Sequence, residues 1–117
     1  ENIRAKSIIG RFLEHSRIFH FRGGFEDPLD GEWLISSADW MYRNLSNRVE
    51  VAVPIRDRDA RKKLQRILEV SLLDQRNAWD LQPDSTYVLR KPAEDAEPDS
   101  PQASGTFNTL MWEAGGQ

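Results

Sequence analysis

Cysteine is missing from the 117 residues, so disulfides and thiolate metal sites are excluded. A chain without cysteine is compatible with a cytoplasmic setting, the location expected here. Only two histidines occur, His15 and His20, and no carboxylate cluster lies near them in sequence, which speaks against a structural zinc site. No apolar run approaches the ~18–20 residues that a spanning helix needs, and nothing resembles a secretion signal. Lysine and arginine are absent after Lys91, whereas five of the 19 acidic residues fall there (Glu94, Asp95, Glu97, Asp99 and Glu113). The formal net charge of −3 therefore hides a body, residues 1–91, with 16 basic against 14 acidic side chains, or +2. That field is too weak to expect nucleic-acid binding, but it permits a local anion site.

What is present reads as one small domain followed by a tail. The first residues alternate polar and apolar through Ile9 with no leading cap, a strand pattern expected of a piece cut from a longer protein. Ser16–Phe21 and Glu32–Ser36 read as strands around a turn-rich hairpin loop, Arg22–Gly31. Arg48–Ile55, with Val49, Val51 and Val53, is the most strand-like run, and Pro54 ends its regular pairing. Asp57 is placed to cap a helix running to about Gln75, with Ala60, Leu64, Ile67, Leu68, Ser71 and Leu72 on one apolar face. Ala78–Gln82 and Thr86–Arg90 flank a Pro83-Asp84-Ser85 turn. From Pro92 to the end (92–117), proline, acid and small residues predict a disordered tail. Its apolar island Thr106–Trp112 is either a frayed end or a docking strap.

Two clusters could carry chemistry. In an extended segment His15 and Arg17 point to the same face. A histidine can move a proton near neutral pH or attack phosphorus, and an arginine offers a fork of donors that matches phosphate oxygens. Taken alone, H-x-R is better explained by a histidine satisfied within a strand, and it is the second cluster that reverses this weighting. The second cluster is SSADWMYRN, Ser36–Asn44. There Ser36 and Ser37 could donate to an oxyanion, Asp39 could orient a histidine ring, Arg43 could pair with phosphate, and Asn44 could hold the histidine or the ligand. A capping segment that starts a short helix at Ser37 or Asp39 is the structural alternative. Trp40 and Met41 are expected to pack in the core.

These residues carry a resemblance. NIRAKSIIGRFLEHSRIF (Asn2–Phe19), LISSADWMYRNLSNRVEVAVPI (Leu34–Ile55) and YVLRKP (Tyr87–Pro92) resemble the last catalytic domain of the long bacterial polyphosphate kinases, in order over residues 2–92. The resemblance implies reversible transfer of the terminal phosphate of ATP to polyphosphate, with magnesium. It implies an α/β, phospholipase-D-like half domain, expected as a mixed sheet of about five strands with one long helix packed on a face. In the family a histidine of the preceding domain becomes phosphorylated. The histidine of the motif matching FLEHSR contacts ATP and assists proton transfer, which carries over to His15 alone. His20 matches no motif and is expected to be structural.

The expected organisation is thus residues 1–91 as catalytic-domain fragment and 92–117 as tail. His15 is the expected catalytic and ATP-contacting group. Arg17, Ser37, Arg43 and Arg48 are phosphate-binding candidates, with Asp39 and Asn44 in support; Arg48 could equally pair with Glu50. No metal ligand is assigned to this chain, since the resemblance puts the magnesium ligands, the phosphorylated histidine and the oligomer-forming regions of the parent upstream. The implied partners are ATP, ADP, polyphosphate and the upstream domains of the same enzyme. The parent would be cytoplasmic, with membrane association open to it, and the isolated fragment inactive. A phospholipase-D-like phosphodiesterase or nuclease is the alternative. It would carry H-x-K followed by an aspartate at position 22, where this sequence has Arg17 and Arg22. A non-catalytic anion-binding module is a third reading.

Overall fold

A computed structural model describes residues 3–116; of the expected first strand, positions 1 and 2 lie outside the described residues. Along the chain follow β1 (Lys6–Ile8), β2 (Ile18–Phe21), a 3-10 turn (Pro28–Asp30), β3 (Glu32–Ser36), α1 (Tyr42–Asn47), β4 (Ala52–Pro54), α2 (Arg58–Leu73), β5 (Ala78–Leu81), β6 (Tyr87–Leu89), α3 (Pro101–Ser104) and α4 (Thr106–Gly115). The architecture is mixed α/β, but the expected single sheet of about five strands is not what forms. Six strands divide into two antiparallel three-stranded sheets, ordered β1-β5-β6 and β2-β3-β4. The chain correspondingly separates into two compact units, residues 14–66 and residues 1–13 with 67–117. The division has a simple origin: β1 finds its partner β5 some 70 positions on, while β2, β3 and β4 pair in sequence order.

In the unit of residues 14–66, Ile18, Ile35 and Val53 stand opposite one another in a row across the sheet. His20 lies opposite Trp33, and their rings stack at 4.0 Å with 21° between planes. Trp33 is buried, its Nε1 donates to the Pro28 carbonyl at 3.0 Å, and His20 Nε2 sits 2.9 Å from the same oxygen. His20 is therefore a packing residue that ties β2 to the 3-10 turn. The hairpin loop bends at Gly23 and Gly24, with φ of 64° and 84°. Arg22 staples this bend: its Nε donates to the Phe25 carbonyl at 2.7 Å and its Nη2 to that of Glu26. Asp27 accepts from the Leu29 N–H at 2.8 Å and caps the 3-10 turn.

β4 is shorter than its β-branched composition suggested. Propensity needs a paired partner strand, and β3 ends at Ser36. Ser37 Oγ takes the Val51 N–H at 3.0 Å, so the ladder stops there and Val49 stands 98% exposed. A second correction concerns Trp40 and Met41, expected in the core but exposed, Trp40 by 77%. The helix begins only at Tyr42, with Met41 as an N-cap that makes no side-chain bond, which leaves residues 39–41 on a surface loop.

Helix α2 starts as its cap predicts: Asp57 Oδ1 accepts from the Ala60 N–H at 2.8 Å. In the same unit Arg58 pairs with Asp27 and Asp30 at 2.5 and 2.9 Å, and Arg61 donates to the carbonyls of Ile55 and Leu29, each at 2.7 Å. Toward its end the buried position is Val70, and Leu72, placed on the apolar face by spacing alone, is exposed.

In the other unit Ala78 is fully buried and β5 pairs with β6 around the predicted turn. Ser85 there adopts φ 68°, held because Asp84 accepts from the Thr86 N–H and hydroxyl at 3.0 and 2.7 Å. The predicted disordered tail is the third correction, since α3 and α4 form within it. Two long-range contacts account for α4. Asp74 is fully buried; its Oδ1 accepts from the N–H groups of Arg76 and Asn77, both at 2.8 Å. Its Oδ2 accepts from the Thr106 N–H and hydroxyl at 2.7 and 2.8 Å. Next to it, Phe107 meets Phe12 edge-on at 6.1 Å and fills the space that a side chain at Gly10 would need. The apolar island is thus a strap docked within its own unit.

Candidate active site

The candidate site lies where β2 and β3 meet. The Ser36 N–H donates to the Arg17 carbonyl at 3.0 Å, which carries strand pairing one step beyond Ile18. Ser36 Oγ then accepts from the Ala38 N–H at 3.0 Å, a local turn that swings Asp39 toward Arg17. Arg17 Nε and Nη2 donate to Asp39 Oδ1 and Oδ2 at 2.7 and 2.9 Å, a two-pronged guanidinium–carboxylate pair. The same guanidinium reaches back along its own segment. Nη1 donates to the His15 carbonyl at 2.8 Å, and Nη2 stands 3.4 Å from His15 Nδ1. His15 itself is exposed.

Electrostatics follow from this geometry. Hydrogen bonds from Arg17 hold the Asp39 carboxyl below the usual carboxylate range; burial opposes them, and the charges of Arg17, His15 and Arg43 add to the lowering. Arg17 is raised in turn, chiefly by its bond to Asp39, with Glu50 contributing charge. The turn before Arg17 is self-bonded. Glu14 accepts from the Ser16 N–H at 2.6 Å, and its carboxyl is held low by the Ser16 hydroxyl first and by the backbone of Ser16 and His15 after it. Glu14 and Ser16 were not singled out from the sequence, although E-x-S is a local pattern that could have pointed to them.

The structure brings His15, Arg17 and Asp39 into one cluster, with Arg43, near the start of α1, within electrostatic reach of Asp39. Asp39 orients Arg17 rather than the histidine ring. Ser37 is committed elsewhere: its hydroxyl donates to Glu50 and its N–H to the Val51 carbonyl at 3.0 Å. Asn44 is buried with its Oδ1 unpartnered, and Arg48, the C-cap of α1, is exposed. Neither makes a hydrogen bond or ion pair with the His15 cluster among the described residues, and Glu50 bonds Ser37 rather than Arg48. Trp40, beside Asp39, stacks on Phe19 at 5.8 Å.

Magnesium, implied by the resemblance, was tested against these side chains. Among the described residues no group of three or more His, Cys, Asp or Glu side chains could hold a metal ion. Asp39, the carboxylate at the site, is consumed by Arg17. The described residues do not fit the ion.

The fold is of the α/β kind found in a large phosphotransferase: it matches the crystal structure of polyphosphate kinase from Porphyromonas gingivalis with a TM-score of 0.76 and 35% identity, over 99% of this chain and 17% of that one. By sequence it is similar to polyphosphate kinase from Synechocystis sp., 54% identical over 110 residues, and from Thermosynechococcus vestitus, 55% identical over 112 residues. Those alignments take in 94% and 95% of this chain but 15% and 14% of the relatives, so the chain spans a small part of their length. Residues 1–102 match the family profile described as polyphosphate kinase C-terminal domain 2, and the chain belongs to that family.

Proposed function

We propose that this chain supplies the nucleotide-contacting half of a polyphosphate kinase active site, acting in the reversible transfer of the terminal phosphate of ATP to polyphosphate. The observation that carries the reading is the exposed His15 imidazole, backed by the Arg17–Asp39 pair at the junction of the FLEHSR and SSADW motifs. His15 meets ATP and assists proton transfer at the phosphoryl group. Arg43 and Arg48, whose side chains make no ion pair among the described residues, are the two candidate cations that remain to meet phosphate. Positive groups placed around a transferring phosphoryl group stabilise the charge spread over its oxygens. Ser37 contributes through its backbone and its hold on Glu50, and Asn44 through the packing of α1.

The finer architecture belongs to the same proposal: a phospholipase-D-like half, with residues 1–91 as catalytic fragment and 92–117 as its C-terminal extension. So do the partners. Upstream domains of a homo-oligomeric cytoplasmic parent bring the phosphorylated histidine and the magnesium ligands. The test is an ATP-to-polyphosphate assay on a full-length parent containing this sequence. Removal of an acid–base group costs about 10²–10⁴-fold, so His15→Ala is expected to lower turnover by at least about a hundredfold. Unchanged turnover would overturn the reading, as would robust synthesis by the 117-residue chain alone.

A further inference from the structure

A second set of cations gathers in the unit of residues 1–13 and 67–117, on the β1-β5-β6 sheet. Lys6 stands opposite Asp80, and the Leu81 N–H donates to the Ala5 carbonyl at 3.0 Å, which brings Arg4 alongside Gln82. Alternation puts Arg4 and Lys6 on one face of the first strand, the face that Asp80 and Gln82 share on their own. Arg90, just after β6, joins them, its Nε donating to Asp80 Oδ2 at 2.7 Å. Lys6 Nζ and Arg90 Nη1 both donate to the Leu72 carbonyl, at 2.8 and 3.4 Å, where the C-terminal end of α2 attracts cations. Those bonds fix Lys6 and Arg90 but leave Arg90 Nη2 unused among the described residues. Arg4 makes no hydrogen bond or ion pair there at all. Three cations thus surround one carboxylate, in a unit that holds six basic against ten acidic side chains. The crowding is felt by Lys6, whose ammonium is held below its usual value by burial first and then by the charge of Arg90; Arg4 adds to the lowering, and Asp80 and Asp74 oppose it.

Beside the cluster opens a cavity of about 390 Å³, lined by Arg4, Asp80, Gln82 and Arg90 together with apolar Ile3 and Pro83. That volume falls in the range of small-molecule sites. We propose that this cavity binds a phosphate group, carried by an oligophosphate or a nucleotide, with Arg4 as its free fork and Arg90 as a second cation oriented by Asp80. A guanidinium matches phosphate oxygens with parallel donors, and an anion placed here offsets the mutual repulsion of the three cations. The site uses none of His15, Arg43 and Arg48, which belong to the unit of residues 14–66, and it does not depend on the kinase reading of that unit.

The experiment titrates the ¹⁵N-labelled 117-residue chain with tripolyphosphate in one arm and AMP in another, against sodium chloride of matched ionic strength. Saturable shifts are expected at the amides of Arg4, Lys6, Leu81, Gln82 and Arg90 and at the Arg4 guanidinium. Tighter binding of tripolyphosphate makes the ligand an oligophosphate, and tighter binding of AMP makes it a nucleotide. Loss of one charge-assisted hydrogen bond is worth about tenfold, so Arg4→Gln should weaken the binding at least about tenfold. Arg4 is exposed, and the remaining amide spectrum confirms that the variant is folded. Arg43→Gln, in the other unit, should leave the affinity at these residues unchanged. The proposal is overturned by the absence of a saturable shift there with either anion, by equal shifts in sodium chloride, by unchanged affinity in Arg4→Gln, or by an equal loss in Arg43→Gln. No turnover is measured, so a failed kinase assay and a failed anion site are told apart.

Discussion

Asp74→Asn offers a close test of how the C-terminal segment is held. The carboxylate is fully buried and accepts four hydrogen bonds, two on each oxygen, from the N–H groups of Arg76, Asn77 and Thr106 and from the Thr106 hydroxyl. The asparagine keeps the shape but replaces one oxygen with an NH₂ group that can only donate. Whichever way the amide turns, it faces two donors with a donor. Each buried donor left without an acceptor costs about 1–3 kcal/mol, so the substitution should lower stability by about 2–6 kcal/mol. With the NH₂ at the Oδ2 position, the Thr106 hydroxyl can rotate and donate elsewhere, which places the expected loss toward the low end. Thr106→Val removes a single donor and leaves Oδ2 with one bond, so it should cost about 1 kcal/mol. Urea unfolding followed by circular dichroism gives the midpoints, and hydrogen exchange at the Thr106 amide shows whether α4 has come loose. A change in Asp74→Asn below about 0.5 kcal/mol, the range of neutral surface substitutions, with Thr106 still protected, would refute the reasoning.

Other consequences test different parts of the molecule. A Cβ on Gly10 would stand 2.1 Å from the Phe107 ring, so Gly10→Ala should displace it at a cost of about 1–3 kcal/mol, and the loss should largely vanish in a Phe107→Ala background; additive effects in thermal unfolding would count against the strap. His20→Ala should destabilise by about 1–3 kcal/mol through the lost Trp33 stack and Pro28 hydrogen bond, whereas His15→Ala should leave the unfolding midpoint within about 0.5 kcal/mol. Asp39 has its folded pKa below its ordinary value, so its contribution to stability is fully present above the usual carboxylate range and is lost as pH falls through the lowered one. Carboxyl chemical shifts should therefore show the Arg17–Asp39 pair intact at pH 5 and opening only below about pH 4, and an opening between pH 5 and 7 would contradict the geometry.

Local signals located the elements with short-range causes. Helix α2 starts at its Asp57 cap, and the Pro83-Asp84-Ser85 turn joins β5 to β6. Each needs only contacts within a few residues, which the order of residue types already encodes. The FLEHSR and SSADWMYRN motifs likewise point to His15, Arg17 and Asp39. What spacing did not reveal is how those three divide their work. Arg17 and Asp39 are 22 positions apart, and only the β2–β3 pairing with the Ser36 turn puts the carboxylate on the arginine.

Three failures of local reading share one cause. Val49 has the chemistry of a strand residue but no neighbouring strand to pair with, and Trp40 has the chemistry of a core residue but sits on a loop. The tail from Pro92 has the composition of a disordered segment, yet α4 forms because Asp74, 32 residues upstream of Thr106, supplies its acceptors and Gly10 leaves room for Phe107. By itself, the sequence determined the family, the local elements and the histidine worth testing. The tertiary structure alone decided that the strands form two sheets, that Asp39 serves Arg17 and that the last helix is docked, because long-range partners leave no periodic trace in the chain that carries them.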